Sequence, residues 1–257
     1  MTSRSDFNFE TEDMKSYFDE DIAVIKIKSR VFDTITDLAE SGKLFSLILN
    51  AERIPDVKAL VLINSPGCMS DPVYDAFLKR ILERGIDPYA PEENQGIVQR
   101  IDRTREINIL NRAILHLAEF RKLTFFCLQG EIVTPFFGVS LAVDFRIASE
   151  DVRFSMPHLK YGLHPTGALP FFLQHFLGRG KTIELLFRDK KISLQEALDL
   201  GLVNASLPAQ DFEHRCMEEV KKLCYLDTRV IHTTKLLVNY SRKDLRSYFD
   251  VESALLH

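Results

Sequence analysis

Residues 122–149 read KLTFFCLQGEIVTPFFGVSLAVDFRIAS, and the fold turns on how this stretch is parsed. LTFFCLQG at 123–130 is a short apolar run closed by turn residues, the pattern of a buried strand. GEIVTPFFGVSLAV then reads as a strand end, a tight turn and a helix. Thr134 is placed to cap that helix and Pro135 to open its first turn, where a missing N–H costs nothing. Helix N-termini bind anions through free amides. This turn instead holds a proline, which has no amide proton, and an apolar helix start without a carboxylate.

Working outward, IAVIKI at 22–27 and KALVLINS at 58–65 are two more buried-strand patterns. Helical spacing lies between them. Leu38, Leu44, Phe45, Leu47 and Ile48 mark one helix; Tyr74, Phe77, Leu78, Ile81 and Leu82 a second; Ile107, Leu110, Ile114, Leu117 and Ala118 a third. Strands alternating with helices predict an α/β fold with crossover connections. SLQE at 193–196 is a capping box, with Ser193 as cap and Glu196 reaching back, and Gly201 supplies a helix stop. The pattern from Thr228 onward is helical. ERGIDPYAPEENQG at 83–96 is polar, carries two prolines, and reads as a lid or a solvated linker.

Composition bounds the function. The chain has 257 residues, 46% of them hydrophobic and 27% charged, as in an ordinary globular protein. A formal charge of -4 argues against a nucleic-acid partner, since phosphate binding needs concentrated Lys and Arg. The cysteines Cys68, Cys127, Cys216 and Cys224 form no C-x-x-C pair and no zinc-like spacing, so no metal is expected. The first residues lack the apolar segment of a secretory signal, and no run approaches the roughly 20 apolar residues of a membrane span. No membrane partner is expected, and a cytoplasmic location follows.

Several motifs between Lys122 and Pro208 resemble the crotonase superfamily, the enoyl-CoA hydratase/isomerase group. KLTFFCLQG is similar to its K-P-V-I-A-A-V-N-G strand, and DFRIAS at 144–149 to its C-D-x-R-I-A-S. FSMPHLKYGLHPTGA resembles F-G-x-P-E-x-x-x-G-x-x-P, and GRGKTIELLFRDKKISLQEALDLGLVNASLP follows the family's long G-x-x-x-A-x-E-L-L run. VKALVLINSPGCMSDP is a looser match to its V-R-A-V-V-L-T-G…F-x-A-G-A-D. The resemblance implies a crotonase-like spiral of ββα units over residues 1–200. It also implies a C-terminal helical oligomerisation region over 201–257, shortened relative to the family, and trimers or hexamers. It implies an acyl thioester ligand, of coenzyme A or an acyl carrier, with no separate cofactor.

In that family two backbone N–H groups polarise the thioester carbonyl; removing one such donor costs about 3–4 kcal/mol. The resemblance places the first donor on Ser70, where a plain helix cap is the other reading. The second falls on Pro135, so only the helix amides at Phe136 and Phe137 and the helix dipole remain. The two hydratase glutamates fall on Gly138 and His158. General acid–base groups each supply about 10²–10⁴ in rate, so ordinary hydration should be lost. His158 could act instead as base or acid, with His164 facing the same pocket, or could be structural. Glu131 is expected to be solvated or salt-bridged. Arg100, Arg103 and Arg105 read as a solvated helix face, though a coenzyme A phosphate would also suit them.

Two functions remain open at this level. One is acyl-thioester chemistry other than hydration, such as isomerisation, decarboxylation or hydrolysis, with His158 moving the proton. The other is a catalytically silent acyl-CoA-binding or scaffold member, suggested by bulky Phe136 and Phe137 where glycines usually admit the substrate.

Overall fold

The computed structural model describes residues 4–36, 38–83, 97–188 and 190–255. The chain opens with an antiparallel meander of β1 (Phe9–Glu10), β2 (Met14–Asp19) and β3 (Ile22–Ile27). The sequence pattern did not reveal β2, because Lys15 and Ser16 dilute the apolar alternation of MKSYFD. Two helices follow, α1 (Val31–Thr36) and α2 (Leu38–Arg53), and then the parallel strand β4 (Ala59–Asn64). Every residue of β4 is buried, as expected where helices cover both faces of a parallel sheet.

Helices α3 (Asp71–Glu83) and α4 (Ile97–Ala118) lead to β5 (Leu123–Leu128), likewise buried throughout. From here a unit repeats. Strand β5 joins the main sheet, β6 (Glu131–Val133) joins a second small sheet, and α5 (Thr134–Ala142) packs across them. Then β7 (Phe145–Ser149) joins the main sheet, β8 (Arg153–Ser155) the small one, and α6 (Leu169–Phe187) follows. These are the ββα turns of the spiral. Strand β9 (Ile192–Ser193) completes the small sheet before α7 (Leu194–Asp199), and β10 (Ala205–Leu207) extends the main one. Among the described residues the main sheet runs β1-β2-β3-β4-β5-β7-β10 and the small sheet β6-β8-β9.

Alternate residues of the central strands feed two cores, because side chains on a strand point to opposite faces. Leu60, Leu62, Phe126 and Leu128 join the larger core with α1 to α6. Val61, Ile63, Phe125 and Cys127 join the smaller, which α8 (Phe212–Lys221) covers with Phe212, Cys216, Met217 and Val220. The last helices are α9 (Thr228–Asn239) and α10 (Leu245–Ala254). Lys235 of α9 ties this end to the sheet: its Nζ lies 2.6 Å from Asp144 Oδ2 and donates to the Lys122 carbonyl at 2.8 Å. Asp144 also accepts from the Thr124 amide and hydroxyl, both at 2.8 Å.

The capping box is present, with Ser193 Oγ accepting from the Glu196 amide at 3.3 Å, and Gly201 takes φ 67° just beyond α7. The cap expected at Thr134 is corrected. Val133 holds the N-cap position and Thr134 is already helical, leaving its hydroxyl free to turn inward. Similarly, α3 begins at Asp71, one residue before Pro72. The 83–96 connection falls, beyond Glu83, outside the described residues, and so do the side chains of Arg100, Arg103 and Arg105.

Candidate functional site

The α5 turn is built into the larger core. Every residue of α5 is buried, a consequence of an apolar sequence with no polar face. Phe136 meets the Phe32 ring edge-on at 5.2 Å, and Phe137 stacks on Phe154 at 4.2 Å. Both aromatic rings therefore spend their area on the core. The entrance to α5 is pinned to the loop before α3, where the Val133 amide donates to the Met69 carbonyl at 2.9 Å.

Gly138 is sealed by backbone. A Cβ there would meet the Gly167 carbonyl oxygen at 2.0 Å and the Leu169 nitrogen at 3.1 Å. Gly167 has φ 74° and closes from the other side, its own Cβ position falling 2.5 Å from the Pro135 carbonyl oxygen. Glycine at both positions is thus demanded by a close approach of two chain segments. A carboxylate cannot stand at 138 while the segment around 167 lies here.

Ser70 sits half-buried one residue before α3. Its amide donates to the Gly67 carbonyl at 3.3 Å, and its hydroxyl donates to the same oxygen at 2.7 Å. Both donors turn into their own loop. The next residues form a cluster the sequence did not reveal. Asp71 accepts from Ser155 Oγ at 2.5 Å and lies 3.3 Å from Lys191 Nζ, while Lys191 also pairs with Glu131. Glu131 in turn accepts from the Asp71 amide at 3.2 Å. Glu131 is therefore salt-bridged, holding β6 to the start of α3.

His158 lies on a short 3-10 turn, Pro157–Tyr161, and is only 2% exposed. Its Nδ1 is 3.3 Å from Thr134 Oγ1, which also reaches the Ser155 carbonyl at 3.4 Å. Burial pushes the imidazole down to about 4, partly offset by the Leu186 carbonyl beside it, so the ring is neutral at pH 7. A base this weak removes protons poorly at neutral pH. His164 is half-buried, with Nδ1 3.3 Å from the Pro165 carbonyl, and its charge weakly disfavours protonation of His158. The structure thus brings Thr134, His158 and the α5 turn together, and the loop carrying Ser70 lies against the same turn through Met69 and Asp71.

A cavity of about 410 Å³ opens at the carboxyl ends of β3 and β4, the place where open α/β sheets bind ligands. Phe32, Cys68, Val73 and Phe77 supply apolar walls, and Lys28, Arg30 and Arg80 stand at it as cations. The cations pair with Glu10, Asp13 and Asp33 respectively, and Asp33 also lines the cavity. Burial drives the Cys68 thiol up to about 12, so it offers no thiolate at neutral pH. A sequence signal for this groove lies just past the strand IAVIKI, where Lys28 and Arg30 stand two residues apart. Among the described residues no group of three or more His, Cys, Asp or Glu could hold a metal ion.

Comparison with known proteins agrees with this architecture. The sequence profile of the enoyl-CoA hydratase/isomerase family matches residues 102–257, more than half the chain. A protein described as a probable enoyl-CoA hydratase of Mycobacterium tuberculosis is 22% identical over 74% of this chain and 76% of its own. A probable enoyl-CoA hydratase of Bacillus subtilis is 39% identical over a shorter stretch, 33% of this chain and 32% of its own. Among solved structures, an enoyl-CoA hydratase from Bacillus halodurans superposes with a TM-score of 0.77 at 19% identity, covering 95% of this chain and 93% of that one. The closed ββα spiral, the DFRIAS strand anchored through Asp144 and the profile match lead to one conclusion: this chain belongs to the enoyl-CoA hydratase/isomerase family.

Proposed function

We propose that the protein binds a coenzyme A thioester without hydrating it. The observation that carries this reading is the backbone seal at Gly138, where the first catalytic carboxylate of a hydratase would stand. Pro135 removes a donor from the same turn, and the Ser70 amide is spent on Gly67. Under this reading His158 is a buried partner of Thr134 that fixes the α5 entrance, and Pro135, Phe136 and Gly138 pack the wall of a closed site.

The binding half of the proposal is supported by the groove at the β3 and β4 ends. Its cations suit the phosphates of a nucleotide thioester, and its apolar walls suit the remainder. Among relatives, the 4-chlorobenzoyl coenzyme A dehalogenases of Arthrobacter sp are 26% identical over 46% of this chain, and their name also carries a coenzyme A ester. Self-association into trimers or hexamers belongs to the same reading. It is supported by α9, whose Val230, Leu236 and Leu237 are more than half exposed in a single chain. A cytoplasmic setting, where thiols stay reduced, is consistent with free Cys68, Cys127, Cys216 and Cys224.

Titration calorimetry with coenzyme A and short acyl-CoA esters tests the binding half, with an Arg30→Ala, Arg80→Ala double variant as control. Saturable binding weakened in the variant is expected. A spectrophotometric assay with a short enoyl-CoA tests the other half, and the expected rate is background. Sustained hydration would overturn the proposal, as would an absence of binding.

A further inference from the structure

Among the described residues Glu252 is the one acidic residue in the buried polar set, at 3% exposure, and it projects from α10 onto the segment that seals Gly138. Its Oε1 accepts from the Ala168 amide at 3.1 Å and from Tyr248 Oη at 3.4 Å. Asn111 of α4, with its amide oriented to donate, reaches Glu252 Oε2 at 3.2 Å and the Ile107 carbonyl at 3.2 Å. All three donors are neutral.

The residue so held is strained. Ala168 adopts φ 53°, left-handed, directly after Gly167 at φ 74°. An alanine stays there only when its surroundings insist, and here the insistence comes from a carboxylate on another helix. Gly167 and Leu169, the residues on either side of Ala168, are also the ones that close against Pro135 and Gly138. One buried group, one strained hinge and one seal are therefore mechanically linked.

We infer that Glu252 is a proton-sensitive latch: it holds the Gly167–Ala168 hinge shut over the α5 turn, and loss of its proton favours opening. An ionised carboxylate in this place has neutral donors only, whereas opening returns it to water. Among the described residues, the basic groups of the surrounding elements make their contacts elsewhere. On α10, Arg246 pairs with Glu119 at 2.6 Å. On α4, Arg112 lies over the Phe45 ring. His175 of α6 bonds the Phe171 and Ser241 carbonyls, His164 sits by the Pro165 carbonyl, and Arg242 lies over Phe172 and Phe176. No ion pair to Glu252 occurs among the described residues. Burial accordingly raises its carboxyl to about 7.

The sign follows. An opened hinge lets Glu252 ionise at its ordinary value near 4.5, while the closed form keeps the proton to about 7. Opening therefore grows by up to about tenfold per pH unit between those values and levels off above the upper one. What opening would admit rests on the proposed thioester reading; the latch itself does not.

Hydrogen exchange at the Ala168 amide, corrected for intrinsic pH dependence, reads the latch directly in the full chain. Its protection is expected to fall as pH is raised from about 5 to 7 and then to flatten. In Glu252→Gln, which keeps an acceptor oxygen for Ala168, protection should no longer depend on pH. Protection that is pH-independent in the native chain, or that keeps its slope in the Gln variant, would overturn the latch. Should that variant not fold, NMR titration of the native Glu252 carboxyl decides: a midpoint near 7 supports it and one near 4.5 removes it. None of these readouts requires a thioester to bind.

Discussion

Restoring a glutamate at 138 should not restore a hydratase. The first atom of its side chain collides with the Gly167 carbonyl, and backbone atoms do not step aside as a flexible side chain does. Gly138→Glu is expected to lose about 3 kcal/mol in a denaturant titration, with no gain in enoyl-CoA turnover. Near-normal stability would mean that the segment around 167 moves more freely than its packing implies. His158 makes a second residue-level prediction. Its folded value near 4 lies below its ordinary 6.5, so the unfolded chain binds more protons between the two. The stability it supports is full above about 6.5 and drains away as pH falls toward 4. A His158→Gln variant should therefore show a flatter fall in melting temperature across that window. An unchanged slope would place the proton elsewhere.

At the level of elements, α9 is tied to the sheet through Lys235, beside the buried Ile231 and the bond from Asn239 to the Ala118 carbonyl. Lys235 reaches a half-buried Asp144 that already serves Thr124 of β5, so the aspartate organises two strands and a helix at once. Lys235→Met should destabilise the fold by about 1.5–3 kcal/mol and expose α9 to limited proteolysis before the rest. Losing the cap at Ser193 is milder: Ser193→Ala should cost about 1 kcal/mol, seen as faster exchange within α7. These elements also show what a sequence can carry. Runs such as ALVLIN and LTFFCL announce themselves, because five apolar residues in six, bounded by turn residues, is the pattern of a strand buried on both faces. Strand β2 stayed hidden, since MKSYFD depends on a partner to become regular. Val133, not Thr134, caps α5 because the Thr134 hydroxyl gains more from Ser155 and His158, neighbours that only tertiary structure supplies. Glu252 was legible in principle: Leu245 and Phe249 stand seven and three residues before it, so helical spacing alone puts a carboxylate on the buried face.

For the whole molecule, the family was readable from motifs, while the sealing of its site was not. Pro135 and Gly138 announce missing groups, but the reason no other group replaces them is a contact between backbones more than two dozen residues apart. Exposed apolar surface on the C-terminal helices carries the remaining prediction. Leu237 is 74% exposed in one chain, an unfavourable place for a leucine facing water. Light scattering should find a mass of several chains for the native protein, and Leu237→Asp should shift it toward one. A native protein that scatters as one chain would leave α9 a free surface.

The thiols have a practical consequence. Cys68, Cys127 and Cys216 are buried and Cys224 is half-buried, with burial raising Cys68 to about 12 and Cys224 to about 11. Cys127 and Cys216 face each other between β5 and α8, and burial also lifts Cys127 well above its ordinary value. An alkylating reagent meets almost no thiolate on the native chain, so modification must wait for the chain to open. The number of thiols labelled over time is then a clock, with Cys224 first when the C-terminal region loosens and Cys127 and Cys216 last when the sheet itself parts.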